Sequence, residues 1–419
     1  MNKDKHIPQG YKDSPLGIIP KEWEVKRLGS LCINNGDYGL NAPATDYSVD
    51  LPTYLRITDI DDNGKFIHID KKSVNSPMVN EYYLKEGDIV FARTGATVGK
   101  TYLYDNRDGK LVYAGFLIKF SPNPIKLLPY FLKTHTETQD YKNWVSITSQ
   151  RSGQPGINAA EYCSFKFAVP PIEEQKKICS ILQLWDTSIE KQLELIEKLK
   201  LRKRALMQQL LTGKKRLPGF SKEWKRIKLG DIAERVIKKN EEDNKNVVTI
   251  SAQRGFVVQT DFFNKSVASE ALDSYYLVLR DEFCYNKSYS NGYPMGAIKR
   301  LKFFDKAVVT TLYICFKLKN RAFDNIDFFE QYCESGIFNK ELVKVANEGG
   351  RAHGLLNVTP TDFFNMHMRI PNIDEQNAIA TVLVNADKEI EFANEKLSNL
   401  QSQKRGLMQQ LLTGKKRII

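Results

Sequence analysis

The chain has 419 residues, of which 42% are hydrophobic and 11% aromatic, so it is long enough to bury cores in two or three domains. Its six cysteines are dispersed without a C-x-x-C pair, which argues against a zinc site or a disulfide framework and favours a reducing, cytoplasmic compartment. No apolar run approaches the roughly 18 residues of a membrane span, and the first residues lack the apolar core of a secretion signal. A formal net charge of +12 favours an anionic partner such as nucleic acid.

An internal duplication organises the chain. KRALMQQLLTGKKR at 203–216 and KRGLMQQLLTGKKR at 404–417 agree at thirteen of fourteen positions, 201 residues apart. The same shift aligns KEW at 21–23 with KEW at 222–224, and PPIEEQ at 170–175 with PNIDEQ at 371–376. Between these landmarks the two copies diverge almost completely, so each copy has a constant frame and a variable filling. This pattern predicts domains over 1–170 and 217–371, with long helices in 171–216 and 372–419.

The first variable filling is typical of mixed α and β structure. Runs rich in β-branched and aromatic residues are bounded by Gly, Asp and Asn and predict strands, whereas PYFLKTH predicts a helix. The strand-like runs are TYLRITDI, FIHI, GDIVFAR, TYLY and AGFLIKF. We therefore expect an α+β domain of about 150 residues.

Two stretches of this filling resemble ligand loops without meeting their requirements. DIDDNGKFIHID at 59–70 places acids at calcium-loop positions, but β-like runs flank it where a calcium hand needs helices. A hairpin with its turn at Asn63-Gly64 explains the same letters and is favoured. GATVGKT at 95–101 has three residues between its glycines, where a phosphate loop needs four.

Each constant frame ends in a predicted long amphipathic helix. Pro171 and the acids of the first turn are start signals, and Gly213 and Gly414 are matching stop signals. About forty residues make a rod of roughly 60 Å, which must bury its apolar stripe. An antiparallel pairing of the two helices is the favoured arrangement, and separate bundles are the alternative. The 4-3 seam, which we also expect to serve partner binding, comprises Ile178, Leu182, Trp185, Ile189, Ile196, Leu199, Leu206, Leu210, Ile379, Leu383, Ile390, Leu397, Leu400, Leu407 and Leu411.

Apolar residues off this seam predict a further covered surface. Leu193, Leu195, Leu201, Leu211 and Leu412 lie outside the seam, so more than one stripe needs cover. A partner protein is the economical cover.

The second filling repeats the mixed character of the first. VVTI, FVV, EFCYN and AVVTTLYICF have strand composition, and IDFFEQYCESGIF predicts helix. Trp23 and Trp224, at equivalent frame positions, are expected to lie in cores.

Candidate DNA contacts are donors in glycine-containing loops, where the backbone can approach a ligand closely. Ordinary hydrophilic turns are the alternative interpretation. Arg351→Ala is expected to relax or abolish recognition of one part of the DNA target while sparing the rest. The candidates are Arg93, Thr94, Thr97, Lys100, Gln150, Arg151, Ser152, Gln154 and Asn158 in the first filling, and Gln253, Arg254, Lys287, Ser288, Tyr289, Asn291, Tyr293, Arg351, His353 and Asn357 in the second.

No catalytic constellation is recognisable in the sequence. It lacks a Ser-His-Asp arrangement, an H-E-x-x-H motif and the Asn/Asp-Pro-Pro-aromatic signature of amino-methyltransferases. We therefore expect neither catalysis nor a resident metal.

The chain resembles the DNA-specificity subunit of type I restriction-modification systems. The resemblance rests on two variable domains that alternate with near-identical helices, on KEW…LG at the start of each unit, on PP-x-EEQ at the start of the helix and on LMQQLLTGKKR at its end. GDIVFARTGATVGK at 87–100 is similar to that family's variable domains, and the resemblance covers essentially the whole chain. It implies two target-recognition domains, each reading half of a gapped double-stranded DNA sequence, and a pseudo-twofold pair of helices that sets the gap.

The resemblance also implies partners. Two methyltransferase subunits would dock on the helices and restriction/translocase subunits would join the complex, so S-adenosylmethionine and ATP would bind the partners and this chain would hold no cofactor. A stand-alone two-headed DNA-binding regulator is the alternative function.

Overall fold

A computed structural model describes residues 7–259, 272–319, 325–346 and 356–418. The chain divides into two compact units: unit 1 is Met1–Gln192 with Lys396–Ile419, and unit 2 is Leu193–Glu395. Both divisions fall inside long helices, whereas the sequence places domain boundaries at the helix ends. Those predicted boundaries stay predictions.

Unit 1 is a mixed α and β unit built mostly from the first filling. Its helices are α1 (Leu28–Leu31), α2 (Pro129–His135), α3 (Gln139–Thr148), α4 (Ala159–Ser164) and the first part of α5 (Ile172–Leu210). Its strands are β1 (Tyr11–Ser14), β2 (Gly17–Pro20), β3 (Glu24–Arg27), β4 (Asp37–Tyr38), β5 (Thr45–Asp46), β6 (Thr53–Leu55), β7 (Lys72–Ser73), β8 (Ile89–Ala92), β9 (Thr101–Leu103), β10 (Leu111–Tyr113), β11 (Leu117–Phe120) and β12 (Lys166–Val169).

The central sheet of unit 1 has the strand order β4-β11-β8-β9 and is antiparallel throughout. A second sheet has the order β10-β6-β7-β5, in which β10 and β6 are parallel. Phe91, Phe120 and Phe131 are fully buried between the central sheet and the helices. The predicted helix PYFLKTH and the strands predicted in GDIVFAR, TYLY and AGFLIKF are confirmed. TYLRITDI is a strand only at Thr53–Leu55, and the strand predicted for FIHI is wrong, since that run contains only an isolated bridge at Phe66.

Unit 2 contains the second filling. Its described helices are the last part of α5, α6 (Leu229–Ile232), α7 (Ile326–Glu334), α8 (Asn339–Val345), α9 (Pro360–Asn365) and the first part of α10 (Ile373–Leu411), whose last part lies in unit 1. Its strands are β13 (Lys225–Lys228), β14 (Ala233–Arg235), β15 (Val248–Ser251), β16 (Gly255–Val258), β17 (Tyr276–Leu279), β18 (Phe283–Asn286), β19 (Ala297–Arg300), β20 (Lys306–Val309), β21 (Ile314–Leu318) and β22 (His367–Ile370).

The central sheet of unit 2 has the order β14-β21-β18-β19 and is also antiparallel. The apolar run AVVTTLYICF divides between two sheets, because β20 pairs with β17 while β21 pairs with β18. Trp224 is 7% exposed in this unit and Trp23 is fully buried in unit 1, which confirms the prediction that both are core residues.

The constant frame has the same structure in both units. β3 pairs with β12 in unit 1, and β13 pairs with β22 at the same register in unit 2. Helices α1, α4 and α5 recur as α6, α9 and α10 after the 201-residue shift. The internal repeat predicted from sequence is therefore a repeat of structure.

The two long helices run antiparallel within each unit. In unit 1, Lys404 on α10 contacts Asp186 on α5 at 2.7 Å; in unit 2, Lys203 on α5 contacts Asp387 on α10 at 2.5 Å. Each helix ends shortly before a glycine in the left-handed region, Gly213 at φ 68° and Gly414 at φ 69°. The predicted pairing and the stop signals are confirmed.

In the first ligand-like motif the predicted turn at Asn63-Gly64 is present, but the strands predicted on either side of it are reduced to one isolated bridge. The Ile60 and Phe66 backbones bridge as an antiparallel pair around a turn in which Gly64 N donates to Asp61 O at 3.1 Å. The glycines of GATVGKT lie in a turn between the antiparallel strands β8 and β9, not between a strand and a helix. Within the described ranges, no cluster of three His, Cys, Asp or Glu could hold a metal, and no helix is long and apolar enough to span a membrane.

Candidate nucleic-acid interface

The two candidate loops of the first filling meet on one surface of unit 1. Residues 93–100 follow strand β8, and residues 150–158 precede helix α4. Gly95 N donates to Pro155 O at 3.0 Å, and Ile157 N donates to Arg93 O at 2.9 Å. These backbone bonds join segments that lie about sixty residues apart in sequence. The structure therefore brings together the candidates that sequence reasoning chose separately.

The three cations of this surface differ in their partners. Lys100 Nζ contacts an Asp62 oxygen at 2.6 Å, and this hydrogen bond lowers the pKa of the Asp62 carboxyl. Arg151 forms a bidentate pair with Glu161 at 2.6 and 2.7 Å. Arg93 has no carboxylate partner in the described part of the chain, and its guanidinium lies 4.9 Å from the centre of the Tyr38 ring. Arg93 alone among the three keeps its donors for a ligand.

The polar candidates divide into structural and exposed groups. Asn158 caps helix α4 by accepting from Glu161 N at 2.9 Å, and Thr97 Oγ1 donates to Thr94 O at 3.3 Å. Gln150, Ser152 and Gln154 are exposed. The exposed side chains can reach a ligand without breaking a hydrogen bond within the described chain.

Two aromatic residues of this surface were missed by sequence reasoning. Tyr38 is 43% exposed, and its hydroxyl accepts from Ala159 N at 3.2 Å, which holds the ring beside helix α4. Phe116 is 59% exposed, and its carbonyl accepts from Arg93 N at 3.0 Å. The signal for Tyr38 was present, because NNGDYG combines glycine, amides and an aromatic as the chosen loops do. A surface cavity of about 640 Å³ adjoins Tyr38, lined also by Asn35, Asn158, Ala159, Ala160 and Cys163.

Unit 2 assembles its candidates in a similar way. Gln253 Nε2 donates to Asn291 O at 3.0 Å, which joins the β15–β16 turn to the loop after β18. Leu356 N donates to Lys287 O at 3.0 Å, so Asn357 lies next to a residue bonded to that loop. Arg254, Tyr289, Asn291 and Asn357 are exposed, and Lys287 and Ser288 are half-buried. Arg351 and His353 lie outside the described residues.

Tyr293 has a structural role beneath this loop. Its hydroxyl donates to a Glu334 oxygen at 2.9 Å and accepts from Lys299 Nζ at 3.0 Å, and Lys299 contacts Glu334 directly at 2.6 Å. Burial alone would lower the pKa of Lys299, but the Glu334 carboxylate outweighs it and raises that pKa. The phenol is thus part of a paired buried network, while Tyr289 is 67% exposed.

The seam residues of the long helices are buried or half-buried within the chain itself. None of the fifteen is exposed, and their role in partner contact stays a prediction. Leu211 and Leu412 are 1% and 2% exposed in the cores of units 2 and 1, so the expectation that a partner covers them is wrong. Leu193, Leu195 and Leu201 are between 45% and 62% exposed. The buried seam residues are Ile178, Leu182, Ile196, Leu210, Ile379, Leu383 and Leu411, and the half-buried ones are Trp185, Ile189, Leu199, Leu206, Ile390, Leu397, Leu400 and Leu407.

The repeated LMQQLLTGKKR segments complete the units crosswise. In unit 1, the Glu174 carboxylate accepts from Trp23 Nε1 at 2.9 Å and from the Arg417 guanidinium at 2.7 and 3.0 Å. In unit 2, Glu375 accepts in the same way from Trp224 and from Arg216. Each arginine therefore comes from the other copy of the repeat. Sequence reasoning found these residues as repeat landmarks and missed the contact between them.

The comparisons with known proteins agree with this architecture. Residues 20–201 match the family model for the type I restriction modification DNA specificity domain. The chain is 27% identical to a putative type I restriction enzyme MjaX specificity subunit of Methanocaldococcus jannaschii, over 98% of this chain and 97% of that protein. It is 24% identical to the MjaVIII specificity subunit of the same organism, over 98% of each chain.

Solved structures show the same fold. A chain from a structural study of complex assembly and conformational transition in the type I restriction-modification system superposes with a TM-score of 0.54 at 15% identity, covering 94% of this chain and 99% of its own. The S subunit of a type I restriction-modification system from M. genitalium superposes with a TM-score of 0.52 at 14% identity, covering 93% and 96%. With its duplicated frame, paired helices and two variable units, the chain is similar over nearly its whole length to type I restriction enzyme specificity subunits, and its residues 20–201 match the type I restriction modification DNA specificity domain.

Proposed function

We propose that this chain is the DNA sequence-specificity subunit of a type I restriction-modification complex, with each unit reading one half of a bipartite, gapped DNA target. One observation carries the proposal. Both units have the same constant frame. In each unit, polar loops lie between one strand of the central sheet, β8 or β18, and the short frame helix, α4 or α9, and the sequences of these loops differ between the units. A constant scaffold with divergent loops is what two readers of different sequences require.

Two readers on one chain also suit the energetics of DNA recognition. Each mismatched base pair costs about 1–3 kcal/mol, so a unit reading a few base pairs discriminates weakly by itself. Linking two such units multiplies their selectivities, provided that their spacing is set. Helices α5 and α10 are each continuous over 39 residues and contribute to both units. We assign to them the role of setting the gap between the half-sites.

The proposal includes partners. Two methyltransferase subunits dock on the long helices, and restriction/translocase subunits join that complex. S-adenosylmethionine, ATP and catalysis belong to those partners, so this chain is non-catalytic, binds no cofactor and works in the cytoplasm. The exposed Leu193, Leu195 and Leu201 support a protein partner, since a partner would remove these apolar side chains from water.

Sequencing of modified bases tests the proposal. The chain is co-expressed with its methyltransferase partner in a host without DNA methylation, and the modified genomic sites are mapped. We expect a two-part gapped motif that disappears when this chain is omitted. An unmodified genome, together with stable DNA binding by the chain alone in gel shift, would replace the proposal with the stand-alone regulator.

A further inference from the structure

One cation occupies the same topological position in each unit. The central sheets have the orders β4-β11-β8-β9 and β14-β21-β18-β19, so β8 and β18 are equivalent strands. Both pair antiparallel with the strands on either side. The first residue after β8 is Arg93, and the first residue after β18 is Lys287. The two fillings share little sequence, so the equivalence of Arg93 and Lys287 is recognised from the strand order of the sheets and not from a sequence alignment.

The backbone of each cation is held in the same way. Arg93 O accepts from Ile157 N at 2.9 Å, and Lys287 O accepts from Leu356 N at 3.0 Å. In both units the donor belongs to the segment that leads into the short frame helix, α4 or α9. Each side chain therefore starts from a point fixed between the sheet and the constant frame. Fixed placement on rigid elements is the requirement for reading a base edge.

Both side chains are also free of acidic partners among the described residues, unlike Lys100, Arg151 and Lys299. Lys100 and Arg151 are paired with Asp62 and Glu161 in unit 1, and Lys299 is paired with Glu334 in unit 2. Breaking such a pair to bind DNA would cost its electrostatic attraction, whereas neither Arg93 nor Lys287 has to break an ion pair with a described residue. The ring of Tyr38 beneath Arg93 further restricts the direction of the guanidinium.

We propose that Arg93 and Lys287 are the equivalent base-reading cations of the two units, each donating to the O6 and N7 acceptors of a guanine in the major groove. This inference rests on the proposed function and deepens it. Guanine is the base whose major-groove edge offers two acceptors, and it is the partner that Arg and Lys match. A phosphate contact needs only charge, whereas the fixed backbone and the aromatic ring constrain the direction of the donors as well.

The test is a methylation map of single variants in the complete complex. Arg93→Ala is expected to lower modification of the original sites roughly ten- to hundred-fold and to relax one guanine position in one half of the motif only. Lys287→Ala is expected to do the same in the other half. Arg93→Gln is the decisive variant, because glutamine prefers adenine, and a changed base preference cannot come from misfolding.

Matched controls are exposed arginines already held by acids, Arg107→Ala for unit 1 and Arg280→Ala for unit 2. Their maps should equal that of the unaltered complex. The inference is overturned by unchanged motifs in the Arg93 and Lys287 variants, by equal weakening of all sites, which indicates phosphate contacts, or by half-sites without guanine. Absence of any two-part motif in the unaltered complex would instead overturn the proposed function itself, and this inference with it.

Discussion

At the residue scale, burial and pairing decide which polar side chains remain available to a ligand. Glu174 and Glu375 are 7% and 1% exposed, and each is satisfied by a tryptophan and an arginine, so these carboxylates hold the fold. Tyr293 and Asn158 are likewise bonded within their units. Arg93 and Lys287 have no carboxylate partner among the described residues, so their donors are available to a ligand.

His135 makes the stability of unit 1 sensitive to acid. Burial lowers its pKa to about 3, and its Nε2 atom has no hydrogen-bond partner within the described structure. The unfolded chain, with an ordinary histidine pKa of about 6.5, takes up the proton while the native state does not. The free energy of unfolding should therefore fall by up to about 1.4 kcal/mol per pH unit below about pH 6.5, down to the native pKa. Above pH 6.5 the contribution is constant.

The measurement is urea unfolding at pH 7 and at about pH 5, with the intact chain and with His135→Leu. The variant should lose about 2 kcal/mol less than the intact chain over this interval. Equal losses in the two proteins would contradict the assignment.

The Tyr293→Phe variant tests the network of Tyr293, Glu334 and Lys299 beneath the loop after β18. Removing the hydroxyl deletes its bonds to Glu334 and Lys299, at a cost of about 1–2 kcal/mol in the stability of unit 2. Because the loop after β18 loses an anchor, the methylation map should relax in the half-site of unit 2 and stay unchanged in the other half. Tyr104→Phe is the matched control, since its exposed hydroxyl bonds only to Gly109 O among the described residues of unit 1. Relaxation of both halves would refute a local role.

At the scale of elements, the end of each long helix is a core component of a unit. Met408, Leu411 and Leu412 pack in the core of unit 1, and Met207, Leu210 and Leu211 pack in that of unit 2. The two copies of the duplicated segment therefore have the same structural role, which is to complete the core of a unit, in addition to any role in binding a partner.

Leu411→Ala and Leu210→Ala form a reciprocal pair of tests. Each removes a side chain that is 1% or 2% exposed, and each should cost about 2–5 kcal/mol. Hydrogen exchange should show faster exchange of β12 in unit 1 for Leu411→Ala, and of β22 in unit 2 for Leu210→Ala. The opposite assignment, with each leucine protecting the unit of its own copy, would contradict the crosswise completion of the cores.

At the scale of the whole molecule, each unit depends on both copies of the repeat. Unit 1 contains residues 1–192 and 396–419, so neither half of the sequence contains a complete unit. Arg417 and Glu174 are 243 residues apart in sequence and in direct contact. A chain with this connectivity couples the two proposed readers through continuous helices.

Lengthening both helices tests the proposed spacing role. Seven residues inserted after Gln192 and seven after Glu395 preserve the seam, because a heptad is close to two helical turns. The added length of about 10 Å corresponds to roughly three base pairs. The methylation map should show both half-sites unchanged and the gap longer by about that amount. A gap of the original length would remove the spacing role, while loss of both half-sites would indicate damage to the fold.

The helices and strands that depend on residues close together in the chain were predictable from the amino-acid sequence. A seam repeating every three or four residues, glycine stops and runs of β-branched residues specify helices and strands through neighbours close in the chain, and a 201-residue repeat marks the frame. The interpretation of 59–70 as a hairpin and of both tryptophans as core residues followed from the same local evidence. The resemblance to type I restriction-modification specificity subunits followed from the order of these landmarks.

Contacts between residues that are far apart in the sequence could not be predicted and became visible in the tertiary structure. The loops at 93–100 and 150–158 share a surface because backbone bonds join them, and Tyr38 stands beneath Arg93 because its hydroxyl is held at α4. Arg417 is paired with Glu174 and Arg151 with Glu161, and these pairs distinguish cations bonded within the chain from cations whose donors are available to a ligand. These contacts depend on how sheets and helices pack, and composition and spacing contain no record of that packing.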